Sequence, residues 1–169
     1  MSPPRLTGLH HVTLPVSDLE TSAAWYATAL GATRIPGLDH HDPAGNRYSV
    51  VVALPGLDTP LQLRLAPEAV ATAGGYDPLT LGVGDRAELD TWAAQLDSAG
   101  VAHGPVTEAR LGHALSFHDP DGTLLRLYTA PAGGLASAVQ NIARNAVEND
   151  LPNVPRNSVR NAVPEARDE

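Results

Sequence analysis

The residues of this chain that could do chemistry stand in short apolar runs. Arg64 sits in Leu61-Gln62-Leu63-Arg64-Leu65, and Arg126 in Leu124-Leu125-Arg126-Leu127-Tyr128. Side chains alternate faces along a strand. Leu61, Leu63 and Leu65 therefore share one face and Gln62 and Arg64 the other; Leu125 and Leu127 likewise oppose Leu124, Arg126 and Tyr128. A guanidinium on so apolar a strand belongs to a solvated edge or to a cavity wall. On a cavity wall, its fork of donors suits a carboxylate, phenolate or carbonyl oxygen. His11, in the run from Leu9 to Val16, could act as a general acid or base. His118, on the same strand face as Ser116, and Tyr128, beside Arg126, could partner it. Asp39-His40-His41-Asp42 adds a fourth group, in which His41 is a further proton-transfer candidate. Its composition could also bind metal, and a solvated turn is the plain alternative.

Such residues need elements to position them, and the elements repeat. The stretch His11 to Asp18 lines up with Pro78 to Asp85, 67 residues later, and Trp25 and Trp92 follow at the same offset. Each unit reads as strand, helix and three strands. In the first, Leu9 to Val16 is a strand, and Ser17 or Asp18 caps a helix ended by Gly31. Strands at Ala32 to Ile35, Arg47 to Leu54 and Leu61 to Leu65 follow, with 36–46 a loop. The second has a strand at Leu79 to Val83, a helix at Ala87 to Ala99, and strands at Val101 to Val106, His113 to His118 and Thr123 to Thr129. Asp119-Pro120-Asp121-Gly122 is turn chemistry, and 67–77 a connector.

The expected fold class is α+β: two βαβββ modules, residues 7–66 and 76–131, forming curved mixed sheets around a shared cavity. Small Thr13 and Thr80 would leave room there and touch a ligand beside Arg64 and Arg126. Residues 1–6 read as a leader. A C-terminal helix is expected over 132–149, because apolar residues at 135, 138, 139, 142, 143, 146 and 147 keep helical spacing. Residues 150–169, rich in Pro, Asn, Arg and Glu, read as a disordered tail.

Composition removes several functions. The 169 residues include no cysteine, and all 11 basic residues are arginine. Disulfide, thiolate and Schiff-base lysine chemistry are excluded. A net charge of −8 opposes nucleic-acid binding. Neither a signal peptide nor an apolar run of about 18 residues is seen, so no membrane partner and a cytoplasmic location are expected.

The run Gly8-Leu9-His10-His11-Val12-Thr13-Leu14-Pro15-Val16-Ser17-Asp18-Leu19, the helix with Trp25-Tyr26, and the run from Phe117 to Tyr128 together resemble the vicinal oxygen chelate superfamily. The resemblance covers about residues 7–131. That group includes glyoxalase I, extradiol dioxygenases, fosfomycin-resistance enzymes and bleomycin-binding proteins. It implies the paired-module fold and a homodimer with the pocket between modules. In its enzymes it implies one divalent metal, held from the first and last strands. Carried onto this chain, the ligand positions fall on His11, Arg64, Pro78 and Arg126. One ligand of four survives, and two cations would repel a divalent ion. No metal is expected there, and no other cofactor; His11 with His40 or His41 is the remaining metal hypothesis.

Two functions are consistent with these residues. The first is a metal-independent acid/base enzyme, a dehydratase, isomerase, cyclase or aldol-type lyase, acting on an oxygenated aromatic or polyketide-like metabolite. His11, His118, Tyr128 and His41 would move protons, and Arg126, Arg64, Thr13 and Thr80 would bind substrate. The second is a binding protein that sequesters a drug or metabolite, as bleomycin-resistance proteins do. It needs the cavity but no catalytic pair.

Overall fold

The structure, a computed structural model, describes residues 3–73, 75–131 and 133–150. Alternating apolar residues set the first strand, β1 (Val12–Val16), which buries Leu14 and Val16 and exposes Thr13. Asp18 then caps α1 (Leu19–Leu30) by accepting from the Thr21 N–H at 2.7 Å. Gly31 ends α1 at φ 67°, a left-handed conformation that costs glycine nothing. There follow β2 (Thr33–Arg34), a 3₁₀ turn at Pro36–Leu38, β3 (His40–His41), β4 (Arg47–Ala53) and β5 (Leu61–Leu65). The sheet order is β1-β5-β4-β2, with β3 also on β4 and only β1–β5 parallel.

The second module follows the same plan after α2 (Pro67–Thr72): β6 (Leu79–Val83), α3 (Arg86–Ser98), β7 (Thr107–Ala109), β8 (Gly112–His118) and β9 (Leu124–Thr129). Its order, β6-β9-β8-β7, again has a parallel first pair. Trp25 and Trp92 are each the seventh residue of their helix and pack against the core. Four local expectations differ. The first strand, expected from Leu9, begins at Val12, so His11 stands just before it. The 36–46 loop contains β3; the 67–77 connector contains α2, opened by Pro67 in its first turn. The strand expected over 101–106 lies instead at Thr107–Ala109. Pro105 has no N–H to give a ladder, and only His103 bridges, to Phe117.

The modules share one core. Leu14, Val16, Leu61 and Leu63 of the first sheet join Leu115, Phe117, Leu125 and Leu127 of the second, with Tyr26, Leu89 and Leu96 from the helices. The helix-bearing faces thus turn toward each other, and the polar faces turn outward. Thr13, Arg64, Thr80 and Gly82 are exposed, and a Cβ built on Gly82 would meet nothing within 4 Å. The expected shared cavity is therefore not closed within one chain: burying both apolar faces in one core leaves the polar faces apart.

The turn between β8 and β9 clasps the modules. Asp119 accepts from the N–H groups of Asp121 (3.0 Å) and Thr123 (2.8 Å) and from the Tyr26 hydroxyl (3.2 Å). Asp121 accepts from the Ser17 N–H (3.0 Å) and the Ser17 hydroxyl. Burial raises the Asp119 carboxyl. Burial and then the Asp119 charge push the Tyr26 phenol up, so it remains the donor.

The chain divides into two units after Pro131. Taken by itself, the second contains α4 (Gly134–Asp150), where Leu135, Val139 and Ile142 lie along one side and are exposed. The disordered tail was expected over 150–169; Asp150 instead belongs to α4, and residues 151–169 lie outside the described residues. Among the described residues no helix is long and apolar enough to cross a membrane.

Candidate functional site

The polar face of the first sheet carries a hydrogen-bonded chain. Register sets Thr13 opposite Gln62, and Pro15 opposite Arg64. Gln62 is buried, its amide held at both ends. Its Oε1 accepts from Thr13 Oγ1 at 3.0 Å, and its Nε2 donates to His40 Nδ1 at 3.3 Å. The Tyr48 hydroxyl lies 3.4 Å from the same nitrogen. With the Gln62 amide nitrogen donating, Nδ1 is the acceptor nitrogen of His40. Tyr48 reaches this face through a bulge. His40 pairs with Ser49 and His41 with Arg47, so Tyr48 is the extra residue on β4. The bulge brings its ring to the guanidinium carbon of Arg64, 5.6 Å from the centroid. It also sends Arg47 back toward α1, where it pairs with Glu20.

A cavity of about 160 Å³ lies against this chain, lined by His10, His11, Leu38, His40, Val51, Pro60 and Gln62. His10, read from the sequence only as part of the strand, stands with its Nδ1 2.8 Å from that of His11. His41 is exposed opposite Arg47 and does not line the cavity; His40 does. The larger cavity, about 490 Å³, lies on the helix side between α1 and α3, lined by Leu30, Pro55, Trp92 and Gln95 among others. None of the candidate residues reaches it.

On the second sheet Arg126 stands between Thr80 and Ser116, and Tyr128 between Gly82 and Ala114. Arg126 Nη1 pairs with Asp77 Oδ2 at 3.0 Å, and Asp77 Oδ1 is buried without a partner. The Tyr128 hydroxyl is 3.4 Å from the Leu111 N–H, from which it accepts. His118 is exposed opposite Leu124.

Register also revises the correspondence between modules. Thr13 matches Thr80 and Pro15 matches Gly82 at the 67-residue offset. Gln62 is therefore the counterpart of Arg126, and Arg64 that of Tyr128. The expectation that Arg64 mirrors Arg126 is corrected: two arginines on equivalent strands suggested equivalence, but they stand two residues out of register. Gln62 and Tyr48 were not singled out as site residues from the sequence, and His40 only as a possible metal ligand beside His41. The signal for Gln62 was its place beside Thr13 on a strand otherwise made of leucine. For His40 and Tyr48 the bulge hides any signal. Of the four acid/base candidates, His11, just before β1, and His41 of β3 belong to the first module, and His118 and Tyr128 to the second. No hydrogen bond joins any two of them among the described residues.

Two βαβββ modules with parallel first and last strands and polar outer faces define a paired-module small-molecule fold. The chain belongs to the Glyoxalase/Bleomycin resistance protein/Dioxygenase superfamily, whose model matches residues 8–127. No curated protein matches it. It is similar to the glyoxylase/bleomycin resistance protein/dioxygenase domain from Frankia sp. EAN1pec, at 26% identity and a TM-score of 0.61, over 74% of this chain and 93% of that one. TnmS3, an antibiotic binding protein from Streptomyces sp. CB03234, is 28% identical with a TM-score of 0.60, over 75% of this chain and 98% of its own. The fosfomycin resistance protein FosX from Listeria monocytogenes, 20% identical with a TM-score of 0.57 over 75% and 95%, shares the fold.

The divalent ion that the resemblance implies does not fit the residues present. With the register corrected, its four positions hold His11, Gln62, Pro78 and Arg126. They offer one imidazole, one amide already bonded at both ends, a proline ring with no side-chain donor atom, and a cation. Among the described residues no three His, Cys, Asp or Glu side chains are placed to share an ion.

Proposed function

We propose that this chain is a small-molecule-binding protein that holds a flat, oxygenated ligand against the polar faces of its sheets. One observation carries this reading. The donor–acceptor chain Thr13–Gln62–His40–Tyr48 is fixed by its own hydrogen bonds beside an apolar floor of Val51, Leu38 and Pro60, an arrangement suited to orienting a ligand. No two of His11, His41, His118 and Tyr128 are hydrogen-bonded to each other among the described residues, which favours sequestration over catalysis. The antibiotic-binding relative at 28% identity points the same way.

The cavity of about 160 Å³ is small beside the roughly 300–1,000 Å³ of ordinary ligand sites. The site is completed, in this reading, by a second copy: the first sheet of one chain faces the second sheet of its partner. The open faces at Thr80 and Gly82 and the unpaired edges of β1 and β6 support this. The metal-independent acid/base reading retains one favourable observation, the approach of Tyr48 to His40, and would place proton transfer there.

Calorimetric titration with 2-naphthamide, a neutral aromatic carbonyl compound, tests the proposal. Saturable binding is expected, and Gln62→Ala should weaken it about 3- to 10-fold, the value of one neutral hydrogen bond. Absence of binding, or equal binding by the variant, overturns it.

A further inference from the structure

We infer that Asp77 sets the charge preference of the site, committing Arg126 in advance so that the second sheet takes neutral oxygenated ligands and rejects carboxylates and other anions. The inference rests on the reading of the polar faces as a ligand site and adds to it the class of ligand.

Arg126 is the cation of the second polar face, set between the hydroxyl residues Thr80 and Ser116. A free guanidinium there would grip an anionic oxygen with two parallel hydrogen bonds. It is not free, since Nη1 is 3.0 Å from Asp77 Oδ2. Asp77 immediately precedes Pro78, so its backbone is held at the start of β6, next to the strand that carries Arg126. Its Oδ1 is buried with no hydrogen-bond partner among the described residues, so among them no other donor competes with Arg126 for the carboxylate. The two side chains form a pair of zero net charge that still offers the remaining N–H groups of Arg126. A neutral carbonyl or hydroxyl oxygen can accept from those groups while the pair stays intact. A carboxylate must either displace Asp77 or lie beside it, and two carboxylates at one site repel. The half-exposed setting, 42% for the Arg126 side chain and 25% for Asp77, leaves the pair within reach of a ligand. Arg64 lies on the other sheet over Tyr48, and the double variant with Arg126→Gln separates any anion it attracts from one gripped by Arg126.

The experiment compares two probes of one shape, 2-naphthamide and 2-naphthoate, by calorimetry on the full chain. Wild type should favour the amide. In Asp77→Asn, the ratio of naphthoate to naphthamide affinity should rise at least tenfold, and the gained naphthoate binding should weaken with added salt. The double variant Asp77→Asn with Arg126→Gln should lose that gain, which assigns it to the guanidinium. Asp77→Ala gives the same reading should the asparagine variant lose its fold by circular dichroism. An unchanged ratio in both Asp77 variants, or a gain that survives Arg126→Gln, overturns the inference. Amide binding with an unchanged ratio sinks this inference and leaves the proposed function standing. Naphthoate binding gained through Arg126, with no amide binding by wild type, does the reverse.

Discussion

Gln62 is the residue on which the first polar face turns. Its amide bonds both neighbours, Oε1 accepting from Thr13 and Nε2 donating to His40 Nδ1. Sequence parity placed Gln62 on the correct face but could not rank it above Arg64, because a lone charge draws more notice than an amide. Within the Asp39–Asp42 group, His41 was preferred to His40 for proton transfer. Adjacent histidines are indistinguishable by composition; only the bulge at Tyr48 decides that His40 faces the cavity and His41 the solvent. His40→Ala should therefore weaken 2-naphthamide binding about 3- to 10-fold, the loss of a neutral hydrogen bond and of the partner that orders Gln62. His41→Ala should change it less than about 2-fold, within the ±0.5 kcal/mol usual for exposed residues. Equal effects of the two substitutions, measured by calorimetry, would remove His40 from the site.

Between elements, the turn Asp119-Pro120-Asp121-Gly122 does more than reverse the chain. Its two carboxylates reach across to Tyr26 and Ser17 and tie the second module to the start and middle of α1. The turn itself was legible from Pro and Gly. Its long-range bonds were not, since nothing in local sequence reports a partner 93 residues away. The same limit explains β7, where a missing N–H at Pro105 moved the strand beyond the apolar run. The clasp carries a pH signature. Burial outweighs the hydrogen bonds at Asp119 and raises its carboxyl above the ordinary 3.8. The folded chain thus keeps a proton that the unfolded chain has released. The contribution of Asp119 is fully present below 3.8 and is lost as pH rises through the folded value. Asp18 and Asp42 are held low, by bonds to the Thr21 backbone N–H and to the Asn46 side chain respectively. Their stabilisation is lost on acidification, and it cancels in a comparison of two chains that both contain them. The melting temperature of wild type, less that of Asp119→Asn, should fall as pH rises from 3.8 toward neutrality and then level off. A difference that grows with pH would show that hydrogen bonding, and not burial, governs this carboxyl.

At the largest scale, two repeated modules bury their helix sides in one core and turn their polar faces away from each other. The repeat, the fold class and the family were legible because a 67-residue offset, matched tryptophans and two strand motifs survive in the chain. The direction in which each face points was not, because periodicity gives faces only relative to their own strand. The proposal built on this geometry is that each binding site joins the first sheet of one chain to the second sheet of another. The most direct measurement mixes two single variants, Gln62→Ala and Arg126→Ala, each weakened in 2-naphthamide binding. In a mixed pair, one site collects both substitutions and the other collects neither. Calorimetry on an equimolar mixture allowed to exchange chains should recover sites of wild-type affinity, at about one quarter of the wild-type number. A mixture that binds no better than the two variants measured separately would contradict the account, since a site contained within one chain cannot be restored by its partner.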